Sequence, residues 1–296
     1  MRLRLLVGIC ACSVSGAQIP DGWEKHFLRV SEEAEVFAQL AQKIIGQESL
    51  EQIALQPPPR FQVRGEPPQL RYQTRHIVSE YGYSTFRDDP GNLHEMRQVL
   101  TVDGRKVKAA GKLRETLTMG LKTDTDKVKK RMLKEFESFG LREFASDFGQ
   151  LLLLFTRRQI ENYQFRHVGE QFLGAEAAVV FSFAQKNGDS AMTVFEGRQM
   201  VRHTLRGQLW LRKTDGVPLR VTLDAERKQD QQPTIQYRAV VDYQLSAHGL
   251  LLPAAVNYAE TLHGHRLIEN RFRYADFKRF GADSEIKFTF EEPVSK

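Results

Sequence analysis

The feature that most restricts this chain is an alternation of apolar and polar residues with a period of two. In IQYRAVVDYQL, Ile235, Tyr237, Ala239, Val241, Tyr243 and Leu245 alternate with mostly polar partners. Successive side chains on a strand point to opposite faces, so the pattern predicts an antiparallel strand with one buried and one solvated face. GQLWLRKTDGVPLRVTLDAE extends it to a hairpin. Val217, Leu219, Val221 and Leu223 share one face of the second arm, Arg220, Thr222 and Asp224 take the other, and Asp215-Gly216 supplies the turn. Strands of this kind make a sheet with one continuous apolar face, which must be buried against another layer.

Further strand signals begin at Leu70 with LRYQTRHIVSEY and MRQVLTVDGRKVKAA, where Asp103-Gly104 predicts a hairpin turn. FRDDPGN, with Asp88, Asp89, Pro90 and Gly91, reads as a loop by its turn chemistry. AAVVFSFA, from Ala177 to Ala184, is apolar on both faces and predicts a strand covered on both sides. NRFRYADFKRF and EIKFTFEEP are the last strand signals.

The covering layer must be helical. SEEAEVFAQLAQKIIGQESLEQI starts with Ser31 as cap ahead of two glutamates and carries Ala34, Phe37, Ala38, Ala41, Ile44 and Ile45 at helical spacing. Two more helices, broken near Gly140, are predicted mid-chain. Val128, Met132, Phe136 and Phe139 share a face of the first, and Phe144, Phe148, Leu151, Leu152 and Phe155 a face of the second. QPPPRFQVRGEPP forbids regular helix and marks an extended connection. The order helix, strands, helices, strands gives an α+β class, a curved antiparallel sheet closed by helices. The expected organisation is a leader over 1–17, an amphipathic helical segment over 18–56, a Pro-rich connection over 57–69, and a sheet domain over 70–296 with a helical insertion at about 123–157.

MRLRLLVGICACSVSGA has the three parts of a secretory signal: Arg2 and Arg4, an apolar run from Leu5 to Val14, and Ser15-x-Ala17. Cleavage is expected after Ala17. Both cysteines, Cys10 and Cys12, lie in the leader, so the mature chain would have no disulfide or thiolate chemistry. Export without cysteine suits a bacterial periplasm. The alternative is a lipoprotein acylated at Cys12, since Ile9-Cys10-Ala11-Cys12 loosely resembles a lipobox. Beyond the leader the longest apolar run, Leu151 to Phe155, is too short to span a bilayer as a helix.

The formal charge is +6, with Arg2 and Arg4 of the leader contributing two of those charges. The basic residues are scattered along strands without interleaved stacking aromatics, which argues against a nucleic-acid partner. No G-x-S-x-G, Walker loop, dinucleotide fingerprint or H-E-x-x-H is present. In LHGHRLIE, His263 and His265 would share a strand face with Glu269 further along, but no third close ligand completes a metal set, and a polar outer strand or loop around Gly264 is the simpler reading. His76, His94, His167, His203 and His248 are isolated, and Asp88 with Asp89 reads as turn chemistry. The expectation is a non-catalytic protein with no catalytic residue, metal or cofactor.

Two features point to an apolar ligand. The stripe Phe144, Phe148, Leu151, Leu152 and Phe155 runs into four consecutive leucines, more apolar surface than a one-sided helix needs, and is expected to form a lid or cavity wall. Lys127, Lys130, Arg131 and Lys134 could face anionic lipid head groups, the alternative being a solvated helix face.

The export signal, the N-terminal amphipathic helix, the helices inserted among strands, and hairpins of the type GQLWLRKTDGVPLRV together resemble the LolA-like superfamily of periplasmic lipoprotein carriers and related lipid-binding proteins. The local match is the strand ending in Leu209-Trp210-Leu211, the turn Lys213 to Gly216 and the strand Val217 to Leu223. The resemblance implies a half-barrel sheet around an apolar cavity, helices as its lid, and a lipid or lipidated protein as partner. The chain departs from the smaller carriers by its length and its two-helix insertion. A different class of function uses the same sheet as a cell-envelope interaction or sensor module, binding a protein through its open edge or inner face.

Overall fold

The computed structural model describes residues 19–57, 70–86, 89–107, 134–141, 148–186, 192–196, 199–203, 205–227 and 234–279. The leader with Cys10 and Cys12, the prolines from Pro58 to Pro68, Asp88, Lys127, Lys130, Arg131, Phe144 and the EIKFTFEEP segment lie outside these residues.

Helix α1 spans Glu24–Leu40. It begins earlier than a Ser31 cap would place it, and Ser31 is buried within it at 4 % exposure. The reason is an apolar stripe that extends upstream: Phe27, Val30, Ala34 and Phe37 recur at three- and four-residue intervals and all face inward. A 310 turn, Ala41–Lys43, then leads into strand β1 (Ile44–Leu55), so the part of this segment read as further helix is strand. Its inward positions alternate strictly, but they include Gly46, Glu48 and Gln52, which hide the period.

The remaining strands are β2 (Tyr72–Phe86), β3 (Asp89–Val102), β4 (Arg105–Lys106), β5 (Tyr163–Leu173), β6 (Glu176–Gln185), β7 (Met192–Glu196), β8 (Gln199–His203), β9 (Arg206–Arg212), β10 (Pro218–Arg227), β11 (Ile235–Leu245), β12 (Leu251–Leu262) and β13 (His265–Arg279). Among the described residues eleven of these strands form one open antiparallel sheet in the order β4-β3-β2-β1-β13-β12-β11-β10-β9-β6-β5, and β7 pairs with β8 in a separate two-stranded sheet. Asp103 and Gly104 turn between β3 and β4 with positive φ at both residues. The loop expected at FRDDPGN is shorter than its composition suggests, because β3 starts at Asp89 and pairs Asp89 with Phe86. Among the described residues β4 pairs only with Thr101 and Val102, so Pro90 interrupts no described ladder on that side of β3.

Helix α1 crosses the inner face and shows that the sheet is curled. Phe27 meets Phe165 of β5 at 4.6 Å between ring centroids, and Phe37 meets Tyr83 of β2 at 5.2 Å. These strands are eight inter-strand steps apart, about 38 Å in a flat sheet. The two phenylalanines are ten residues apart on a helix, about 15 Å. Both contacts can exist only if the flanks bend toward α1.

The described residues of the expected helical insertion fall in two short pieces. Residues 134–138 form one helical turn, ended by Gly140 at φ +74°, and Phe148–Phe155 is a 310 segment with a kink at Gln150, not an α-helix. Strand β6 is buried on both faces as its sequence requires. Val179, Phe181 and Phe183 enter the main core, while Ala178 and Val180 pack with Trp210, Leu173 and Leu219 on the outer face. Leu219 leaves the row of Val221 and Leu223 because the β9–β10 register shifts between Pro218 and Arg220. Elsewhere the outer face carries cross-strand ion pairs such as Arg220 with Asp242, Arg206 with Glu226, and Arg271 with Glu51.

Candidate functional site

The described part of the expected lid lies on the inner face of the sheet. Phe148, Leu151, Leu152 and Phe155 are all buried there, Leu152 and Phe155 completely. Phe155 meets Phe183 edge-on at 5.3 Å, and Phe148 lies against Tyr258 at 4.9 Å. The segment also packs against α1, where the N–H of Arg157 donates to Glu35 Oε1 at 3.1 Å. Lys134 is exposed on the turn that buries Phe136.

Beneath the 310 segment the sheet presents a polar floor, which the sequence reading did not anticipate. In the β1–β2 register Glu48 opposes Ser79, and in the β2–β3 register Tyr81 opposes Arg97 and Tyr83 opposes Glu95, so these side chains converge on one face. Arg97 Nε donates to both oxygens of Glu48 at 2.9 and 3.0 Å, and its Nη2 donates to Glu95 Oε2 at 2.5 Å. The guanidinium lies over the rings of Tyr81 and Phe272 at 5.3 and 5.4 Å. Tyr81 donates its hydroxyl to Tyr83 at 2.7 Å. Burial pushes the Glu48 carboxyl above the usual range against the pull of Arg97, and the buried hydroxyls of Tyr81, Tyr83, Tyr243 and Tyr274 are raised chiefly by the same desolvation.

This floor holds the 310 segment by its backbone. The N–H of Gln150 donates to Glu95 Oε1 at 3.1 Å, the N–H of Leu152 donates to the Tyr243 hydroxyl at 2.9 Å, and that hydroxyl donates to the Gly149 carbonyl at 3.2 Å. Side chains of β3 and β11 thereby satisfy main-chain groups near the start of the segment, which has little α-helical ladder of its own. Gly149 makes the approach feasible: a Cβ there would lie 2.7 Å from both Glu95 Oε1 and the Tyr81 hydroxyl. Toward the other end of the strands Gln52 donates to Asn270 at 2.8 Å and Tyr258 hydrogen-bonds Glu260, all four buried.

The histidine pair is accounted for locally. His263 occupies the β12–β13 turn at φ +50°, His265 opens β13, and the Glu269 carboxylate is engaged by Arg266 and Arg271. His167 stacks on Trp23, and His248 Nε2 lies 3.0 Å from the Phe277 carbonyl.

No protein-family model matches the chain, and no curated protein matches it. Among solved structures it is similar to a DUF1329 family protein from Desulfovibrio piger, with 10 % identity and a TM-score of 0.42 over 90 % of this chain and 96 % of that one. It is also similar to the LolA superfamily protein NE2245 from Nitrosomonas europaea, with 9 % identity and a TM-score of 0.31 over 85 % and 92 % of the two chains. The chain is thus similar in structure to proteins of the DUF1329 family and of the LolA superfamily, the second being the group its sequence resembles.

Proposed function

We propose that the protein is an exported, periplasmic, non-catalytic carrier that binds the acyl chains of a lipid or lipidated protein on the inner face of a half-barrel sheet, with Phe148, Leu151, Leu152 and Phe155 as its lid. One observation carries this reading: the 310 segment lays Phe148, Leu151, Leu152 and Phe155 on the sheet, and among the described residues its backbone is tied to the floor through Gly149, Gln150 and Leu152. An eight-residue 310 helix has little stability of its own, so this segment can leave without unfolding the strands beneath it. Acyl chains would then take the places of the lid side chains. The exposed Lys134 and the neighbouring Lys127, Lys130 and Arg131 are proposed to meet anionic head groups as the cargo is delivered.

Binding of N-phenyl-1-naphthylamine, an uncharged dye that brightens in apolar surroundings, tests the reading. The folded protein should bind it saturably, and Leu152→Asp should weaken binding while costing less stability than Val241→Asp in β11. Absence of saturable binding by the folded native protein, with equal destabilisation by the two changes, sinks the carrier.

A second reading, the envelope interaction module, is favoured by the β5 edge, where Val168 and Phe172 are 48 % and 76 % exposed. It predicts that Val168→Lys abolishes partner pairing and leaves dye binding intact.

A further inference from the structure

We propose that β5 pairs with itself: two copies of the chain join through antiparallel β5 strands, in the one register that sets the β-bulge at Val168 against its own symmetry mate. The inference goes beyond the carrier reading. It gives the β5 edge of the second reading a single occupant, a second copy of this chain.

The direction of the edge backbone follows from the β5–β6 hairpin. Its turn has two residues, Gly174 and Ala175, with Gly174 at φ +61°. The closing pair, Leu173 with Glu176, therefore turns its backbone groups toward each other, and the next pair, Phe172 with Ala177, turns them away. Ala177 accordingly gives its carbonyl to the N–H of Lys213 on the β9 side, and at the far end of the ladder the Asn162 carbonyl accepts from the N–H of Lys186. By alternation Phe165, His167, Glu170 and Phe172 direct their N–H and C=O groups to the side of β5 that carries no strand among the described residues.

The bulge selects the register. His167 opposes Phe181 and Gly169 opposes Val180, so Val168 is the extra residue. His167 and Glu170 lie opposite Phe181 and Val179, both members of the main core, and so share the inner face. The three-residue step from His167 to Glu170 is thereby fitted into one two-residue repeat, about 7 Å. A two-fold pair of strands has to oppose inward residues to inward residues. Across the bulge this is met when Phe165 opposes Phe172 of the second copy and His167 opposes Glu170 of the second copy, with Val168 and Gly169 of both copies at the axis. A shift along the strand sets each bulge against a regular stretch or shortens the ladder to the residues on one side of it.

The side chains agree with this register. Phe172 and Val168, the exposed large apolar residues of the strand, both gain a neighbour: Phe172 the ring of Phe165, which already lies against Phe27, and Val168 its counterpart at the axis. The Glu170 carboxylate meets an imidazole, Arg166 meets Gln171, and no like charges are opposed. Centring the pair on Glu170 instead would oppose two carboxylates.

The test is sedimentation of the full chain carrying Cys10→Ser and Cys12→Ser, from dilute to concentrated, followed by disulfide trapping. The protein should dimerise reversibly, and Phe172→Glu, at an exposed position, should weaken the dimer by about tenfold or more with an unchanged melting temperature. Arg166 and Gln171 of the second copy form a non-hydrogen-bonded pair with Cα atoms about 4.5 Å apart, within reach of a disulfide. Arg166→Cys mixed with Gln171→Cys should therefore cross-link under mild oxidation. Either variant alone should not, since its two copies of the same position lie about 13 Å apart along the strands. A folded protein that stays monomeric at every concentration overturns the inference, as does cross-linking of the Arg166→Cys protein with itself. A monomer whose β5 pairs with a different protein keeps the second reading and overturns this one, and dye binding judges the carrier independently of all these outcomes.

Discussion

Arg97 sets its Nε between the two carboxylate oxygens of Glu48 in a position where neither side chain is more than 2 % exposed. The pair joins β1 to β3 across the intervening β2, and Glu95 extends it to the 310 segment. Arg97→Met would take the shared guanidinium away from the buried Glu48 and Glu95 carboxylates, and unfolding in urea should show a loss of about 3–5 kcal/mol. Adding Glu48→Gln should recover part of it. A single variant as stable as the native protein would mean the cluster is not desolvated.

Gly149→Ala places a methyl against Glu95 Oε1 and the Tyr81 hydroxyl. The segment must shift, at a cost of about 1–3 kcal/mol. Hydrogen exchange should then accelerate at the Gln150 and Leu152 amides, with the β11 amides least affected. Unchanged exchange at both lid amides would count against their hydrogen bonds to Glu95 and Tyr243.

The tyrosines give the fold an alkaline limit. Tyr81, Tyr83, Tyr243 and Tyr274 all have raised folded-state pKa values. A group raised on folding contributes stability in full below its unfolded pKa and loses it as pH climbs toward the folded value. Stability should therefore drop above about pH 10 by about 1.4 kcal/mol per pH unit for each such tyrosine. Tyr83→Phe should flatten the slope by one proton, and an identical slope in that variant would contradict the assignment.

Processing is tested by mass. Protein recovered from an exporting host should begin at Gln18. A mass that retains the leader would remove the periplasm from the proposal, and a lipidated Cys12 would replace a free carrier by an anchored one.

The strands that alternate cleanly were legible from the chain alone: Tyr237, Ala239, Val241 and Tyr243 of β11 are inward, as their spacing requires. Strand β1 was not, because its inward Glu48 and Gln52 are polar and their partners, Arg97 and Asn270, lie far along the chain. The 310 segment could be found by its apolar excess. Its helix type could not, since that depends on Glu95 and Tyr243, which are 55 and 91 positions from the amides they hold. A faint signal for the floor exists in the two-residue spacings of Tyr81 with Tyr83 and of Glu95 with Arg97, which put each pair on one face of its strand.

The two margins of the sheet are unequal, and this bears on how copies of the protein could associate. Indefinite growth by strand addition needs a receptive margin at each end. Among the described residues one margin is the two-residue β4, and the other is the eleven-residue β5. Pairing of β5 with β5 of a second copy would join two protomers back to back and use up that margin in both.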